Sequence, residues 1–357
     1  MKSKGFDFLI LFIILVVSLL GLSMIWSLEL PLFPQQLLFL ILSLGIFFLF
    51  SRIDFRIFEN ITTFFYGGSL FLLLITFVLG EVTRGSIRWI QLGFINLQPS
   101  EIVKPFLIIF FASYFSKQEK FTPMTVVNSL ILLLIPLFLV FKQPDLGSTL
   151  VIFVSFLGIA ISSRLPKIYF ALGTLITVVF SPIAWFLMQP YQKERIYSFF
   201  NPYADPLGAG YHIIQSIITV GSGGFLGRGL GKGTQSQFAF LPEHHTDFMF
   251  ASLTEELGFL GASILLLCYF FLLVRILVIA QNSQSSFGKL VCYSVFSLLL
   301  FQIFINIGMN MGIMPVTGIT LPLVSYGGSS LLATLICLGI VESVARLQKR
   351  ESTIEIG

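Results

Sequence analysis

The stretch "FLPEHHTDFMF", residues 240–250, gathers four side chains that can exchange protons or bind cations. They are Glu243, His244, His245 and Asp247, and an apolar run follows them directly. A carboxylate in a partly dry pocket can have the basicity that general-base catalysis requires. Asp247 at a helix start also fits a plain cap that the helix dipole favours. Because one cap does not need three polar neighbours, we favour Asp247 as a catalytic base.

The histidines do not indicate a zinc site. The only other histidine is His212, and zinc normally takes three or four protein ligands in a suitable geometry. His244 and His245 are adjacent, so on a regular element their side chains would diverge. We predict no metal-ligating residue. A divalent cation (Mg²⁺ or Mn²⁺) held by nearby carboxylates stays open as an alternative, without a specific sequence signature.

Other charged residues lie within or beside apolar stretches, where a charge costs about 2.5–3.5 kcal/mol and usually faces an interior. Glu101 and Lys104 share one helix face and either neutralise each other or line a cavity. Asp145, in "KQPDLGSTL", either caps the next helix or faces that interior. Glu255 and Glu256 would lie roughly 12–14 Å deeper than the proposed base, at 1.5 Å per residue. We expect both inside the bundle.

The glycine-rich segment "VGSGGFLGRGLGKG" suggests a phosphate cradle at first sight. It matches neither the Walker pattern nor a strand-to-helix dinucleotide turn. We expect its glycines to let the backbone pack tightly against helices. Arg228 and Lys232 leave room for contact with an anionic group.

These residues must be positioned by membrane-spanning helices. The 357 residues are 56% hydrophobic and 11% charged, with a mean hydropathy of +0.94, far from the roughly 25% charge of soluble domains. We predict an all-α polytopic membrane protein, a single domain over 1–357, since helices satisfy their own backbone in lipid. About ten stretches are long enough to cross a bilayer: roughly 6–26, 35–51, 61–79, 99–115, 125–141, 146–162, 168–188, 247–279, 288–310 and 326–346. The eighth is long and should tilt or extend beyond the bilayer.

The distribution of Lys and Arg predicts the orientation. Most of the 21 cations fall into cytoplasmic segments if both termini are cytoplasmic. A net charge of +4 then indicates contact with anionic membrane lipids and not with nucleic acid. Residues 189–246, between helices 7 and 8, become a large structured extracytoplasmic loop that folds over the outer mouth. Residues 80–98 are outer and amphipathic, and Trp89 could be a plain interfacial anchor.

Five blocks in order resemble the SEDS family of shape, elongation, division and sporulation proteins. They span essentially the whole chain: "RWIQLGFINLQPSEIVKP", "KQPDLGSTL", "DPLGAGYHIIQSIITVGSGGFLGRGLGKGTQSQ", "FLPEHHTDFMFASLTEELG" and "PLVSYGGSS". "GKGTQSQ" followed by "FLPEHHTDF" is more similar to the elongation branch than to the division branch. The resemblance implies a bacterial cytoplasmic-membrane enzyme that polymerises lipid II, the undecaprenyl-diphosphate-linked disaccharide-pentapeptide, on the outer face.

The resemblance also implies site residues and partners. Asp247 matches the family's essential aspartate, and the matching motif positions are assigned to substrate binding: Trp89, Glu101, Lys104, Asp145, Glu243 and His245. By charge, Arg195, Lys232 and Lys104 are candidates to hold the diphosphate. The implied partners are a class B penicillin-binding protein and other elongation-complex membrane proteins. A flippase of lipid-linked precursor, a scaffold, and the division or sporulation paralogue are the alternatives.

Overall fold

A computed structural model describes residues 6–83, 86–93, 95–238 and 240–354. Within these residues the protein is predominantly helical, with short 3₁₀ turns at Leu30–Leu32 and Pro202–Ala204. The α-helices are α1 Phe8–Leu28, α2 Phe33–Arg52, α3 Phe55–Asn60, α4 Thr62–Leu79, α5 Pro99–Ser116, α6 Pro123–Lys142, α7 Leu146–Ser162, α8 Lys167–Leu187, α9 Pro190–Phe200, α10 Tyr211–Ser222, α11 Thr234–Gln237, α12 Met249–Asn282, α13 Ser286–Asn310 and α14 Gly328–Ile354.

Seven helices of the described chain are long and apolar enough to cross a membrane, which makes this an integral membrane protein. They are α1, α2, α4, α6, α12, α13 and α14. Each of the ten predicted stretches coincides with a helix. Seven of these helices are the long apolar ones, and the other three are α5, α7 and α8. Helix α5 carries Glu101 and Lys104, whereas α7 and the apolar part of α8 are shorter. The count of ten spans stays a prediction.

The prediction of an all-α chain misses a small antiparallel sheet between α4 and α5. Its strands are β1 Glu81–Thr83, β2 Ser86–Leu92 and β3 Ile95–Leu97, in the order β1-β2-β3. The sequence of β2, "SIRWIQL", is rich in β-branched and aromatic residues, which favour strands. Gly93, between β2 and β3, has φ +66 and permits the reversal. This sheet carries Arg88 and Trp89 to the site described below.

The long eighth stretch is kinked rather than simply tilted. Within α12, Gly258 has φ 67 and ψ −167, which divides the helix into two parts. The glycine-rich segment supplies the backbone bonds that the kink breaks. Gly229 donates to the carbonyl of Glu256 (2.9 Å), and Phe259 donates to the carbonyl of Gly224 (2.9 Å). The tight backbone packing expected of this segment is therefore present, directed at one helix.

The close approach at the kink requires glycine on both sides. A Cβ built on Gly258 would lie 2.2 Å from the backbone nitrogen of Gly227, and one built on Gly227 would lie 2.2 Å from the Glu256 carbonyl oxygen. Both glycines also have positive φ. A side chain at either position would push the segment away from α12 and expose unpaired backbone groups.

Residues 189–246 contain three helices, α9, α10 and α11. Helix α10 packs against α12 and α13. Its Ser216 hydroxyl donates to the carbonyl of Asn310 at 2.8 Å. The segment therefore lies against α12, which begins just after the proposed base, and against α13. Its side of the membrane stays a prediction.

Candidate active site

Asp247 lies two residues before the start of α12, and its backbone is fixed by two side chains of α13. The amides of Asn306 and Asn310 each donate to the Asp247 carbonyl oxygen at 3.0 Å. Asn306 also donates to the carbonyl of Ile319 at 2.7 Å, and both asparagines are completely buried. Because they lie i, i+4 on one helix face, they clamp Asp247 to the loop that follows α13. No sequence motif pointed to either asparagine.

Asp247 is not the N-cap residue of α12. The N-cap residue of α12 is Phe248, which makes no side-chain capping bond, and the first helical turn contains no acidic residue. The Asp247 side chain is only partly buried and lines a cavity. The geometry thus favours the catalytic interpretation over the cap.

The loop between α13 and α14 forms the part of the cavity wall that lies next to Asp247. A Cβ built on Gly318 would lie 3.6 Å from Asp247 Oδ2, and Gly318 has φ +74. The Ser325 hydroxyl donates to the carbonyl of Thr246 at 2.6 Å, and the Tyr326 amide donates to the carbonyl of His245 at 2.9 Å. The turn that carries Asp247 is therefore held on its backbone while its carboxylate faces the cavity wall.

The cavity has a volume of about 530 Å³, and most of the residues that line it have polar side chains. Six of the predicted site residues line it: Trp89, Asp145, Arg195, Glu243, His245 and Asp247. Trp89 and Asp247 are more than 150 residues apart in the sequence, so only the folding of the chain brings these residues together. Among the described residues, Glu101, Lys104 and Lys232 lie outside this lining.

Two arginines give the cavity positive charge. Arg195 comes from α9 and packs near the Tyr191 ring, 5.9 Å from its centroid. Arg88 comes from β2, and its guanidinium donates to the carbonyls of Gln143 (2.9 Å) and Pro144. Guanidinium groups are suited to binding phosphate oxygens. The sequence reasoning did not select Arg88, although its position next to Trp89 was a usable signal.

Asp145 is both a cap and a part of the cavity wall. Its Oδ1 accepts the Ser148 amide at 3.0 Å, which caps α7. Its Oδ2 accepts hydrogen bonds from the Ser100 hydroxyl at 2.8 Å and from the side-chain Nε2 of Gln98 at 3.0 Å. The two readings of Asp145 are thus compatible, and its carboxylate ties α7 to the start of α5.

Glu101 and Lys104 form the neutralising pair that was one of the two predicted options. Lys104 Nζ lies 2.5 Å from Glu101 Oε1, and both residues are buried. The Ser148 hydroxyl donates to the same Glu101 oxygen at 3.3 Å. Through Ser148 this pair adjoins Asp145. The pair therefore supports the cavity wall from behind, and a direct substrate contact stays a prediction.

Lys232 is exposed in the glycine-rich segment, where Glu255 anchors the neighbouring residues. Glu255 Oε2 accepts the amide (3.0 Å) and the hydroxyl (2.7 Å) of Ser236. The Gln235 amide donates to Oε1 at 2.9 Å. Glu256 accepts from the Ser27 hydroxyl at 2.6 Å. Both glutamates are completely buried, as expected, and they organise the segment around α12.

His212 of α10 stacks on Phe248, with ring centroids 6.1 Å apart. His212 keeps an exposed edge, but partial desolvation lowers its pKa below the usual 6.5, while nearby Glu243 raises it and Arg195 lowers it. The neutral ring is thus the favoured form in the folded protein. It covers one side of the residue that follows the proposed base.

His244 and His245 lie in a turn and not on a regular element. The divergence expected for a regular element therefore does not occur, and the two rings lie close together. Their ring centroids are 5.2 Å apart. A ring nitrogen of His244, a ring nitrogen of His245 and a carboxylate oxygen of Glu29 all lie within 4.8 Å of one another. Glu29 follows α1, so its role was not visible from local sequence.

The fold and the cavity define a polytopic membrane protein with an acid-bearing polar pocket at one end of its helix bundle. Residues 5–350 match the cell cycle protein family FTSW_RODA_SPOVE. The chain belongs to this family, as the resemblance predicted.

The chain is similar to named relatives over nearly its whole length. It is 39% identical to the peptidoglycan glycosyltransferase MrdB of Escherichia coli K12, covering 94% of this chain and 91% of the relative. It is 33% identical to the probable peptidoglycan glycosyltransferase FtsW of Buchnera aphidicola, covering 96% and 94%.

Solved structures show the same fold. A chain from a study of structural coordination of polymerization and crosslinking by a peptidoglycan synthase complex superposes with a TM-score of 0.84, at 31% identity, covering 96% of this chain and 98% of that one. The crystal structure of the rod shape determining protein RodA of Thermus thermophilus gives a TM-score of 0.74 at 28% identity, covering 97% and 98%.

Proposed function

We propose that this protein is a peptidoglycan glycosyltransferase that polymerises lipid II into glycan strands during cell-wall elongation. The observation that carries the proposal is the position of Asp247, a partly exposed carboxylate on a fixed backbone in a polar cavity that also holds two arginines. The names of the relatives, peptidoglycan glycosyltransferases, support the same reaction. Greater identity to MrdB than to FtsW supports the elongation role.

Asp247 acts as the general base. It accepts the proton of the acceptor's GlcNAc 4-hydroxyl while that oxygen forms a bond to the anomeric carbon of the donor's MurNAc. The bond from this carbon to the diphosphate oxygen breaks, undecaprenyl diphosphate leaves, and the configuration at the carbon inverts. A positioned base of this kind is worth about 10² to 10⁴ in rate.

The leaving diphosphate needs cations more than it needs an acid. Diphosphate is already a good leaving group, so the site does not have to protonate it as a glycosidase protonates a sugar oxygen. Arg88 and Arg195 line the cavity and bind the diphosphate oxygens by charge-assisted hydrogen bonds. Trp89 and His245 contact the sugars. Mg²⁺ or Mn²⁺ can share the neutralisation of charge.

The cavity opens on the outer face of the bacterial cytoplasmic membrane. This topology uses ten spans, adding α5, α7 and α8 to the seven longer ones, with both termini cytoplasmic and residues 189–246 outside. The excess of Lys and Arg in the segments that would be cytoplasmic supports it. An activated, lipid-linked donor fits an outer site, where no ATP pool can drive glycosidic bonds.

A transpeptidase partner is part of the proposal. The structural neighbour comes from a complex that coordinates polymerization and crosslinking, so we assign this chain a class B penicillin-binding protein that cross-links the new strands. Other elongation-complex membrane proteins and the surrounding lipids complete its environment.

The rival function is a flippase, since buried charges and a polar cavity also suit lipid translocation. Proteoliposomes that carry fluorescent lipid II only in the outer leaflet distinguish the two. We expect glycan polymer to form without prior translocation, in the presence of the protein and not in protein-free vesicles. Movement of lipid II between leaflets without any polymer would overturn the proposal.

A further inference from the structure

We propose that Glu29, His244 and His245 bind a divalent transition-metal ion, Zn²⁺ by preference. Each residue offers one ligand atom, and these atoms lie within 4.8 Å of one another. His244 is 7% exposed, while Glu29 and His245 are partly exposed. The three residues join the end of α1 to the turn that carries Asp247.

If its ring is neutral, the hydrogen bonding of His244 leaves the Nε2 lone pair facing Glu29. His244 Nδ1 lies 3.1 Å from the carbonyl oxygen of Leu241. A carbonyl only accepts, so Nδ1 carries the hydrogen in this bond, and in a neutral ring Nε2 is then the acceptor. Nε2 lies 3.6 Å from Glu29 Oε1. Two acceptors that face each other need a cation or a proton between them.

The separation fits a shared metal ion better than a direct ion pair. A hydrogen bond from an imidazolium to a carboxylate is about 2.7–2.9 Å long, much shorter than the observed 3.6 Å. Two ligands on a tetrahedral zinc, each about 2.0–2.1 Å from the ion, are roughly 3.4 Å apart. His244 and Glu29 are already close to that spacing, and a small movement of His245 completes a three-ligand set.

The ligand chemistry selects the kind of ion. Two imidazoles and one carboxylate suit Zn²⁺ or related transition metals, whereas Mg²⁺ and Ca²⁺ prefer oxygen ligands alone. Metal-binding histidines usually donate their other N–H to a carbonyl or carboxylate, as His244 does to Leu241. This site is therefore distinct from a carboxylate-held Mg²⁺.

An ion here would stabilise the turn before α12 from the side of α1. Ser27, two residues before Glu29, already binds Glu256 through its hydroxyl at 2.6 Å. His245 lines the cavity, so the ion would lie in or behind the cavity wall. The site requires only these three residues, and its test is independent of the proposed polymerase reaction.

Isothermal titration of Zn²⁺ into purified, chelator-stripped protein tests the site, with an affinity tag that contains no histidine. We expect one equivalent to bind. We expect Glu29→Gln and His244→Gln to weaken the affinity by at least about tenfold. His212→Gln is the matched control, because it removes a histidine outside the cluster, and its affinity should equal that of the unsubstituted protein.

Zinc-edge X-ray absorption on the unsubstituted protein gives an answer that does not depend on a variant folding. We expect a first shell of nitrogen and oxygen with the outer scattering of two imidazoles. The absence of stoichiometric binding, a shell without imidazole, or equal affinity in the folded Glu29→Gln and His244→Gln variants would overturn the proposal.

Discussion

Asp247 and the pair Glu255–Glu256 lie within ten residues of each other, yet the protein uses them differently. The two glutamates are completely buried and their carboxylates accept hydrogen bonds from the segment 227–237 and from α1. Asp247 is held through its backbone carbonyl, and its side chain reaches a cavity. One region is a closed anchor, and the other is open to a ligand.

The difference lies in which atoms are fixed. Carboxylates surrounded by donors contribute to stability, because removing either side leaves buried polar groups unpaired. A carboxylate whose backbone is fixed while its side chain borders a cavity is pre-positioned for a reacting group. Burial alone would have ranked the glutamates as the more unusual acids. Access to a cavity is what separates Asp247 from the two glutamates.

The largest effect on stability is expected at the kink beside the anchor. Gly258→Ala should destabilise the fold by about 3 kcal/mol or more, from backbone strain and overpacking, since the new Cβ would lie 2.2 Å from the Gly227 nitrogen. Thermal unfolding in detergent measures the loss. Gly45→Ala is the control, because a Cβ built there would meet nothing within 4 Å beyond its chain neighbours and its own helix backbone. Equal unfolding temperatures for the two variants would contradict the tight contact.

The anchor itself is tested by Glu255→Gln. Both Glu255 oxygens accept backbone N–H groups, from Gln235 and from Ser236. The new amide must turn its NH₂ toward one of these donors, which should cost about 1–3 kcal/mol. Thermal unfolding should show this loss, and the protein that remains folded should polymerise at close to the normal rate. A complete loss of activity in folded Glu255→Gln would instead bring the anchor into the reaction.

Much of this comparison was predictable from sequence. The apolar stretches predicted the helices. The isolated charges predicted the burial of Glu255 and Glu256 and, as one of two options, the Glu101–Lys104 pair, whereas the catalytic role of Asp247 stays a prediction. Local sequence did not predict the clamp on Asp247, because Asn306 and Asn310 lie about 60 residues away on another helix. The sheet was also missed, because three short strands give a weak periodic signal beside long apolar helices.

Removing a cationic side chain from the cavity should affect the reaction more than removing one beside the Glu255–Glu256 anchor. Arg195 lines the cavity, so Arg195→Gln should lower kcat/KM for lipid II roughly tenfold through the lost charge-assisted contact. Lys232 is exposed beside the anchor, and Lys232→Gln should change kcat/KM little. Steady-state polymerisation compares them. A larger loss in Lys232→Gln would contradict this expectation and support the sequence prediction that Lys232 holds the diphosphate.

The smallest expected effect is a pH dependence of stability from His212. Partial desolvation places the pKa of His212 in the folded protein below 6.5. Its stabilising contribution is therefore complete above about pH 6.5 and is lost as the pH falls through the folded pKa. The unfolding temperature should drop more on acidification in the unsubstituted protein than in His212→Gln. Identical pH profiles would show that the ring is not desolvated by its neighbours.

The most direct test of the account compares Asp247→Asn with Glu256→Gln in two assays, lipid II polymerisation and thermal unfolding. We predict that Asp247→Asn unfolds near the normal temperature and polymerises about 10² to 10⁴ times more slowly. Glu256→Gln should unfold at a lower temperature and polymerise at close to the normal rate while folded. Folded Asp247→Asn protein that polymerises lipid II at the normal rate would contradict the central claim.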